Sequence, residues 1–177
     1  MRKFRILALM LVLIMVLAGC GTGNSTPAAK DIVILYTNDA HCGIEDGMGY
    51  QGLSAAKRAL LAAGNKVLLV DNGDAVQGDT IGTLSKGEYI IDIMNKLGYD
   101  VATPGNHEFD YGMEQFLSLA KELKSGYVCC NFMDLRTNKT VFDAYKIITY
   151  GDTKVAYVGI DTPEAISKST PTYFQDS

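Results

Sequence analysis

The sequence predicts an α/β fold with a largely parallel sheet and helices on both of its faces. Three short runs of β-forming apolar residues alternate with segments whose apolar residues recur at helical spacing. Such alternation is typical of parallel strands that are connected by helices. Each of the three runs also leads directly into a polar loop rich in possible metal ligands. The chain of 177 residues is long enough to bury a substantial core.

The first half of the chain contains most of the predicted sheet. An apolar run predicts a strand at 31–36, and a long polar loop separates it from a helix at 52–63. The second strand is predicted at 66–71. Apolar residues at helical spacing indicate a helix at 88–97, and a short third strand is expected at 101–103.

The second half continues with one more helix and three more strands. A helix is predicted at 113–123, where the apolar residues lie on one face. A fourth strand is expected at 127–130. Two strands at 142–150 and 154–159 are predicted to pair as a hairpin around Gly151.

The N-terminus is typical of a bacterial export signal. A basic start precedes an apolar run of 12 residues at 6–17, shorter than the roughly 20 residues that a spanning helix needs. The following segment, which ends in Cys20, resembles the lipoprotein box and implies a signal peptide at 1–19 with a lipid on the Cys20 sulfur. That lipid would anchor the exported protein to the outer face of a bacterial cell membrane; a plain secretory signal is the alternative. Small polar residues at 20–30 predict a flexible tether.

The charge balance argues against a nucleic-acid polymer as the partner. The chain has 16 Lys and Arg against 20 Asp and Glu, a formal net charge of −4. Proteins that bind nucleic-acid polymers usually carry a basic surface.

Possible ligands follow each of the first three predicted strands. Asp39 and His41 come after the first strand, Asp74 after the second, and Asn106 and His107 after the third. Because the carboxyl ends of adjacent parallel strands meet at one edge of a sheet, these loops are expected to converge.

Carboxylate, imidazole and amide donors together suit divalent ions such as Zn, Mn, Fe or Co. Two such ions about 3.5–4 Å apart clamp the oxygens of a phosphate ester and activate water for attack. Each group alone also fits a helix cap, a turn or a structural role. The presence of all three loops favours a metal site.

The three loops resemble a known family. They are similar to the first three signature blocks of calcineurin-like metallophosphoesterases, most of all to the exported 5′-nucleotidase branch, which includes UDP-sugar hydrolases and 2′,3′-cyclic-nucleotide phosphodiesterases. The blocks are Thr37-Asn38-Asp39-x-His41, Asn72-Gly73-Asp74-x-x-x-Gly78 and Gly105-Asn106-His107-Glu108-Phe109-Asp110.

The resemblance implies a four-layer metallophosphoesterase sandwich and two divalent metal ions. Asp39 and His41 would hold one ion, Asp74 would bridge both, and Asn106 would hold the second.

The resemblance also implies two catalytic residues. His107 would face the phosphate, stabilise charge in the transition state and assist the leaving alkoxide, while Asp110 would orient its ring. A carboxylate partner fixes the tautomer of an imidazole and raises its pKa, which suits such a role. Glu108 and Phe109 are assigned to local structure.

Further histidine blocks are expected downstream in this family, but the sequence has no histidine after His107. We therefore expect residues 31–177 to be a catalytic domain that is incomplete at its C-terminus. Alone, this chain is expected to bind metal weakly and to have little or no phosphatase activity.

The leading functional hypothesis is metal-dependent hydrolysis of phosphate esters of extracellular nucleotides, of the 5′-nucleotidase type. A 2′,3′-cyclic-nucleotide 2′-phosphodiesterase with 3′-nucleotidase activity is the alternative within the same chemistry. A non-catalytic surface lipoprotein that acts as a binding module is the alternative from another class.

Overall fold

The computed structural model describes residues 31–174. The predicted signal peptide, the tether and the lipid site at Cys20 lie outside this range. Within it, no helix combines the length and the apolar character that a membrane span requires. The strands are β1 Ile32–Thr37, β2 Lys66–Asp71, β3 Val101–Ala102, β4 Met133–Asp134, β5 Lys139–Thr140, β6 Tyr145–Tyr150 and β7 Thr153–Val158. The α-helices are α1 Gly49–Ala62, α2 Thr80–Ser85, α3 Glu88–Leu97, α4 Met113–Glu122 and α5 Ala165–Lys168, and two 3₁₀ helices span Asn106–Phe109 and Pro171–Phe174.

The central sheet is parallel, with the strand order β1-β2-β3. The pairing of β1 with β2 ends at Thr37 and Asp71, and that of β2 with β3 ends at Asp71 and Ala102. The three strands therefore end side by side, and the loops that follow them start at one edge of the sheet. Both the α/β class and the expected convergence of these loops are confirmed.

Helices α1, α3 and α4 share one apolar core with the sheet. Alternate strand residues such as Leu69 and Ala102 point into this core and are fully buried. On the other side of β1, Ile34 and Tyr36 are exposed by 48% and 65%. The expected second helical layer and the four-layer sandwich stay predictions. The core residues from these three helices are Tyr50, Leu53, Ile90, Ile91, Met94, Phe116 and Leu119.

The predicted fourth strand at 127–130 is wrong as a continuous element. Tyr127 forms an isolated parallel bridge with Ala102, but Val128 forms one with Asp143. Because the segment changes partner after one residue, it never builds two consecutive pairs with the same strand.

The hairpin is confirmed with shorter strands, β6 and β7, which pair antiparallel around Gly151. Its φ of 61° suits a tight turn that favours glycine. Several short elements were not predicted, and two of them near the candidate site are α2 and the 3₁₀ helix Asn106–Phe109. Both are short, and their few residues carry no helical period.

Candidate metal centre

The loop after β1 runs alongside the loop after β2 and is bonded to it along its length. The backbone N–H of Asp39 donates to the Gly73 carbonyl at 3.1 Å, and that of His41 donates to the Asp74 carbonyl at 2.9 Å. Cys42 continues this pattern with the Ala75 carbonyl at 3.1 Å. These bonds extend the contact between neighbouring strands beyond the sheet and hold His41 next to Asp74.

The backbone of these loops is strained where the candidate ligands lie. Asp39, His41, Cys42 and Asp74 have φ values of 50°, 44°, 61° and 56°, a region that non-glycine residues rarely adopt. Each such conformation costs of order 1–3 kcal/mol and persists only when its surroundings enforce it. Strain of this kind is concentrated at functional sites in proteins, and here it falls on three of the four residues predicted to bind metal.

Three side chains from the three loops meet in one group. His41, Asp74 and His107 each offer a ligand atom, and these atoms lie within 4.8 Å of one another. The two imidazole rings are in edge-to-face contact, with their centroids 4.9 Å apart. The convergence predicted from the sequence therefore extends to the side chains of these three residues.

The ring of His41 is oriented by a main-chain carbonyl. Its Nδ1 lies 3.2 Å from the carbonyl oxygen of Gln77, and because a carbonyl only accepts, Nδ1 donates this bond. In a neutral imidazole this leaves the lone pair of the other ring nitrogen to bind a cation. Metal-binding histidines usually have an acceptor of this kind behind them.

Asp39 and Asn106 are placed differently from the group of three. Asp39 is exposed, and its carboxylate accepts a hydrogen bond from the Asn38 amide at 2.8 Å. Asn106 begins the 3₁₀ helix directly after Gly105. Both residues lie on the expected loops, and their roles as metal ligands stay predictions.

His107 is linked to two further polar side chains. Its Nδ1 lies 2.6 Å from an Asp110 carboxylate oxygen, and the Ser169 hydroxyl donates to the other oxygen at 3.1 Å. The backbone N–H of His107 donates to the Asp74 carboxylate at 2.7 Å. The family resemblance implied the pair of His107 and Asp110, whereas Ser169 carried no signal because it lies 59 positions after Asp110 along the chain.

Two carboxyl groups that were not predicted as site residues are buried behind these loops. Asp71 accepts hydrogen bonds from the Thr37 hydroxyl at 2.7 Å and the Gly73 N–H at 3.1 Å. Burial, together with the nearby charge of Glu108, raises the pKa of Asp71 to about 7 against the lowering effect of those two bonds. Burial likewise raises the pKa of Glu108, which three backbone N–H groups partly offset.

Two glycines let the loops approach each other closely. A Cβ on Gly105 would lie 2.5 Å from an Asp74 carboxylate oxygen. A Cβ on Gly73, whose φ is 98°, would collide with the Gly105 backbone nitrogen. The sequence interpretation that glycines let the backbone crowd the site is supported at these two positions.

The donor set fits a divalent cation. It combines imidazole nitrogen from His41 with carboxylate oxygen from Asp74, a mixture suited to borderline and hard metal ions. A cation here would also compensate the carboxyl groups of Asp71 and Glu108, which the fold buries close to Asp74.

Residues 32–174 match the family model described as calcineurin-like phosphoesterase. The 5′-nucleotidase of Vibrio cholerae is 30% identical over 89% of this chain and 31% of its own length. The 2′,3′-cyclic-nucleotide 2′-phosphodiesterase/3′-nucleotidase of Yersinia enterocolitica is 28% identical over 82% of this chain and 26% of its own.

Among solved structures, the NAD nucleotidase of Haemophilus influenzae has a similar fold. The TM-score is 0.68 at 28% identity, over 77% of this chain and 27% of that one. The chain spans about a third of the length of the first curated relatives it matches, 32% and 31%.

Proposed function

Since the chain belongs to the calcineurin-like phosphoesterase family, we propose that it takes part in the metal-dependent hydrolysis of nucleotide phosphate esters, as a 5′-nucleotidase does. Residues 31–177 would form catalytic-domain structure in this protein. The proposal also includes export, with a lipid on Cys20 holding the protein at the outer face of the bacterial cell membrane.

One observation carries the proposal: two proposed metal ligands, His41 and Asp74, and the proposed acid, His107, bring nitrogen and oxygen atoms within 4.8 Å of one another. The three residues come from three separate loops, at the edge of a parallel sheet where such folds place their chemistry. A purely structural role would not require the strained backbone on which His41 and Asp74 lie.

The residues proposed to hold two divalent ions are Asp39, His41, Asp74 and Asn106. Asp74 is suited to bridge the ions, because its carboxylate has two oxygens and the His107 N–H already fixes one of them. When bound, the ions would supply positive charge to the phosphate oxygens and make a water molecule more acidic.

His107 would act on the phosphate and the leaving group. Because Asp110 accepts a hydrogen bond from Nδ1, the ring orientation is set and the other nitrogen faces away from this partner. That nitrogen can donate a proton to the leaving alkoxide as the phosphate ester breaks. Ser169 keeps the Asp110 carboxylate in place from the opposite side.

The second candidate is a 2′,3′-cyclic-nucleotide 2′-phosphodiesterase with 3′-nucleotidase activity. The similarity to the Yersinia enterocolitica protein supports it. The residues of the site are suited to contact metal and phosphate, which both kinds of substrate share. A non-catalytic binding module is less well supported, because such a protein has no use for a histidine that a carboxylate orients.

A substrate panel tests the proposal. The protein is purified in the full length in which the cell produces it and is assayed with AMP, 3′-AMP and 2′,3′-cyclic AMP, each with Mn²⁺, Co²⁺ or Zn²⁺. Metal-dependent release of phosphate from AMP supports the 5′-nucleotidase proposal, and preference for the cyclic substrate supports the second candidate. Absence of turnover for all three esters in a protein that binds metal would contradict both.

The lipid is tested separately by labelling producing cells with a radioactive fatty acid. Incorporation in the wild type and its loss in Cys20→Ser are expected. Equal labelling of the two would exclude Cys20 as the attachment site.

A further inference from the structure

The side chain of Glu108 is bonded to the backbone of both loops that carry Asp74 and His107. Its side chain is fully buried, and its carboxylate accepts hydrogen bonds from three main-chain N–H groups. The donors are Ala75 at 2.9 Å, Asp74 at 2.8 Å and Gly105 at 2.6 Å. The proposed roles in metal binding and phosphate chemistry do not use a carboxylate at this position.

The three donors belong to two different loops. Asp74 and Ala75 follow β2, whereas Gly105 follows β3 and precedes the 3₁₀ helix that carries Asn106 and His107. The regular pairing of these strands ends at Asp71 and Ala102, and its last bond runs from the Thr103 N–H to the Asp71 carbonyl. Beyond this point the two loops are joined by bonds from the Asp74 and Ala75 N–H groups to the Glu108 carboxyl and from the His107 N–H to the Asp74 carboxylate.

The bond from the Asp74 N–H to Glu108 holds the backbone at the point where it is strained. Asp74 has a φ of 56° and follows Gly73 with a φ of 98°. Because both carboxyl oxygens of Glu108 accept main-chain N–H groups, its side chain can hold this strained conformation. In that conformation the Asp74 carboxylate accepts the N–H of His107 and meets His41.

We propose that Glu108 is a positioning residue that fixes Asp74 relative to Asn106 and His107 and thereby sets the geometry of the metal centre. It acts through the backbone of the two loops and does not contact the ion. The inference rests on the proposed function, because it assumes that Asp74 binds metal.

The test compares metal affinity in four variants. Glu108→Gln keeps the shape of the side chain but replaces one acceptor oxygen by a donor. Glu122→Gln is the matched control, since Glu122 is exposed on α4. Asp74→Asn and the double variant of Asp74→Asn with Glu108→Gln complete a mutant cycle. Co²⁺ affinity is measured by titration calorimetry and visible absorption, and folding by circular dichroism, in the full-length protein.

Glu108→Gln is expected to weaken Co²⁺ binding by 10–100-fold, the usual effect of losing a group that orients a ligand. Glu122→Gln should leave the affinity unchanged. If Glu108 acts through Asp74, the double variant binds no more weakly than Asp74→Asn alone, so the two effects are not additive.

The outcomes separate this inference from the proposed function. If Asp74→Asn leaves Co²⁺ affinity unchanged, the proposed metal centre is wrong. If Asp74→Asn weakens binding and Glu108→Gln does not, the centre stands and the positioning role is overturned. Additive effects in the double variant also overturn it, because Glu108 would then act independently of Asp74.

A measurement on the wild type covers the case in which Glu108→Gln fails to fold. Amide hydrogen exchange of Asp74, Ala75 and Gly105 is followed in the metal-free protein. Bonds to a buried carboxylate should make all three exchange as slowly as the amides of β2. Exchange at the rate of exposed loop amides would overturn the proposal.

Discussion

Asp161 is a buried carboxylic acid outside the three signature loops, exposed by only 8%. The Asn131 side chain holds the backbone of Asp161 by two hydrogen bonds. Its Nδ2 donates to the Asp161 carbonyl at 2.8 Å, and its Oδ1 accepts the Asp161 N–H at 2.9 Å. Burial raises its pKa to about 6; the charges of Glu108 and Asp74 add to this, and the Thr162 N–H opposes it. The pKa of Asp161 therefore depends on the charges of Glu108 and of Asp74, a proposed metal ligand.

This raised pKa predicts that the metal-free protein loses stability as the pH rises. In the unfolded chain an aspartic acid loses its proton near pH 4, whereas folded Asp161 keeps it until about pH 6. Between these values the folded state binds more protons, so the free energy of unfolding falls with rising pH. Asp161→Asn should remove a decrease on the order of 2–3 kcal/mol between pH 4 and 7.5.

The measurement is urea unfolding in EDTA at several pH values. Part of the pH dependence should remain in Asp161→Asn, because Asp71 has a raised pKa and acts with the same sign. Asp152→Asn, in the exposed hairpin turn, is the control and should match the wild type. An unchanged slope in Asp161→Asn would show that its burial has no thermodynamic effect.

His107→Ala is predicted to lower turnover by roughly 10²–10⁴-fold, the usual contribution of a positioned acid or base. Metal affinity should be retained, because His107 is proposed to act on the phosphate and the leaving group. Both are measured on the full-length protein, by phosphate release and by Co²⁺ titration. Turnover at the wild-type rate would contradict the proposed mechanism, and a parallel loss of Co²⁺ affinity would make His107 a ligand.

At the scale of elements, the site depends on how closely the segment after β3 approaches the loop after β2. This approach is possible because residue 105 has no side chain. The 3₁₀ helix that follows turns Glu108 and Phe109 inward, and both are fully buried. The same 3₁₀ helix therefore places His107 at the candidate site and two buried side chains in the interior.

Gly105→Ala is predicted to displace the Asp74 carboxylate, because the new Cβ would lie 2.5 Å from one of its oxygens. Co²⁺ affinity should fall at least tenfold, as expected when the support of a ligand is disturbed. Gly126→Ala is the control: no atom lies within 4 Å of its Cβ position, but its φ is 70°. In the control, the free energy of unfolding should fall by about 1–2 kcal/mol, and the Co²⁺ affinity should not change. Equal Co²⁺ affinities in the two variants would refute the prediction.

At the scale of the whole molecule, a cluster of aromatic rings ties the site to the rest of the core. Phe109, from the 3₁₀ helix, contacts Phe116 of α4 with a centroid distance of 4.8 Å and Phe174 near the end of the described residues at 4.6 Å. Phe116 also contacts Tyr127 and Phe142. The cluster joins segments that lie far apart in the sequence and so stabilises their packing.

Phe116→Ala is predicted to lower the free energy of unfolding by about 3–5 kcal/mol, the range for large-to-small changes at buried aromatic residues. Phe116 is fully buried, whereas Leu84 on α2 is 79% exposed. Leu84→Ala should therefore stay within about 0.5 kcal/mol of the wild type. Chemical denaturation checks both values, and similar losses would show that the cluster does not govern stability.

The sequence predicted the three strands of the sheet and their helices, since apolar periodicity reports directly which residues are buried. It also predicted that His41, Asp74 and His107 share one edge, because the carboxyl ends of parallel strands lie together. The segment 127–130 was mistaken for a strand because its apolar residues do not reveal that the pairing partner changes from Ala102 to Asp143.

By itself the sequence determined the fold class and the loops that carry the candidate site, both of which depend on local pattern and spacing, and its family resemblance implied the pairing of His107 with Asp110. Only the tertiary structure decided which distant groups support them. Gln77 behind His41, Ser169 behind Asp110 and Glu108 between two loops act through hydrogen bonds. The physical reason is that a hydrogen bond depends on distance and direction in space, and a residue's type does not reveal which backbone group will lie within 3 Å of it.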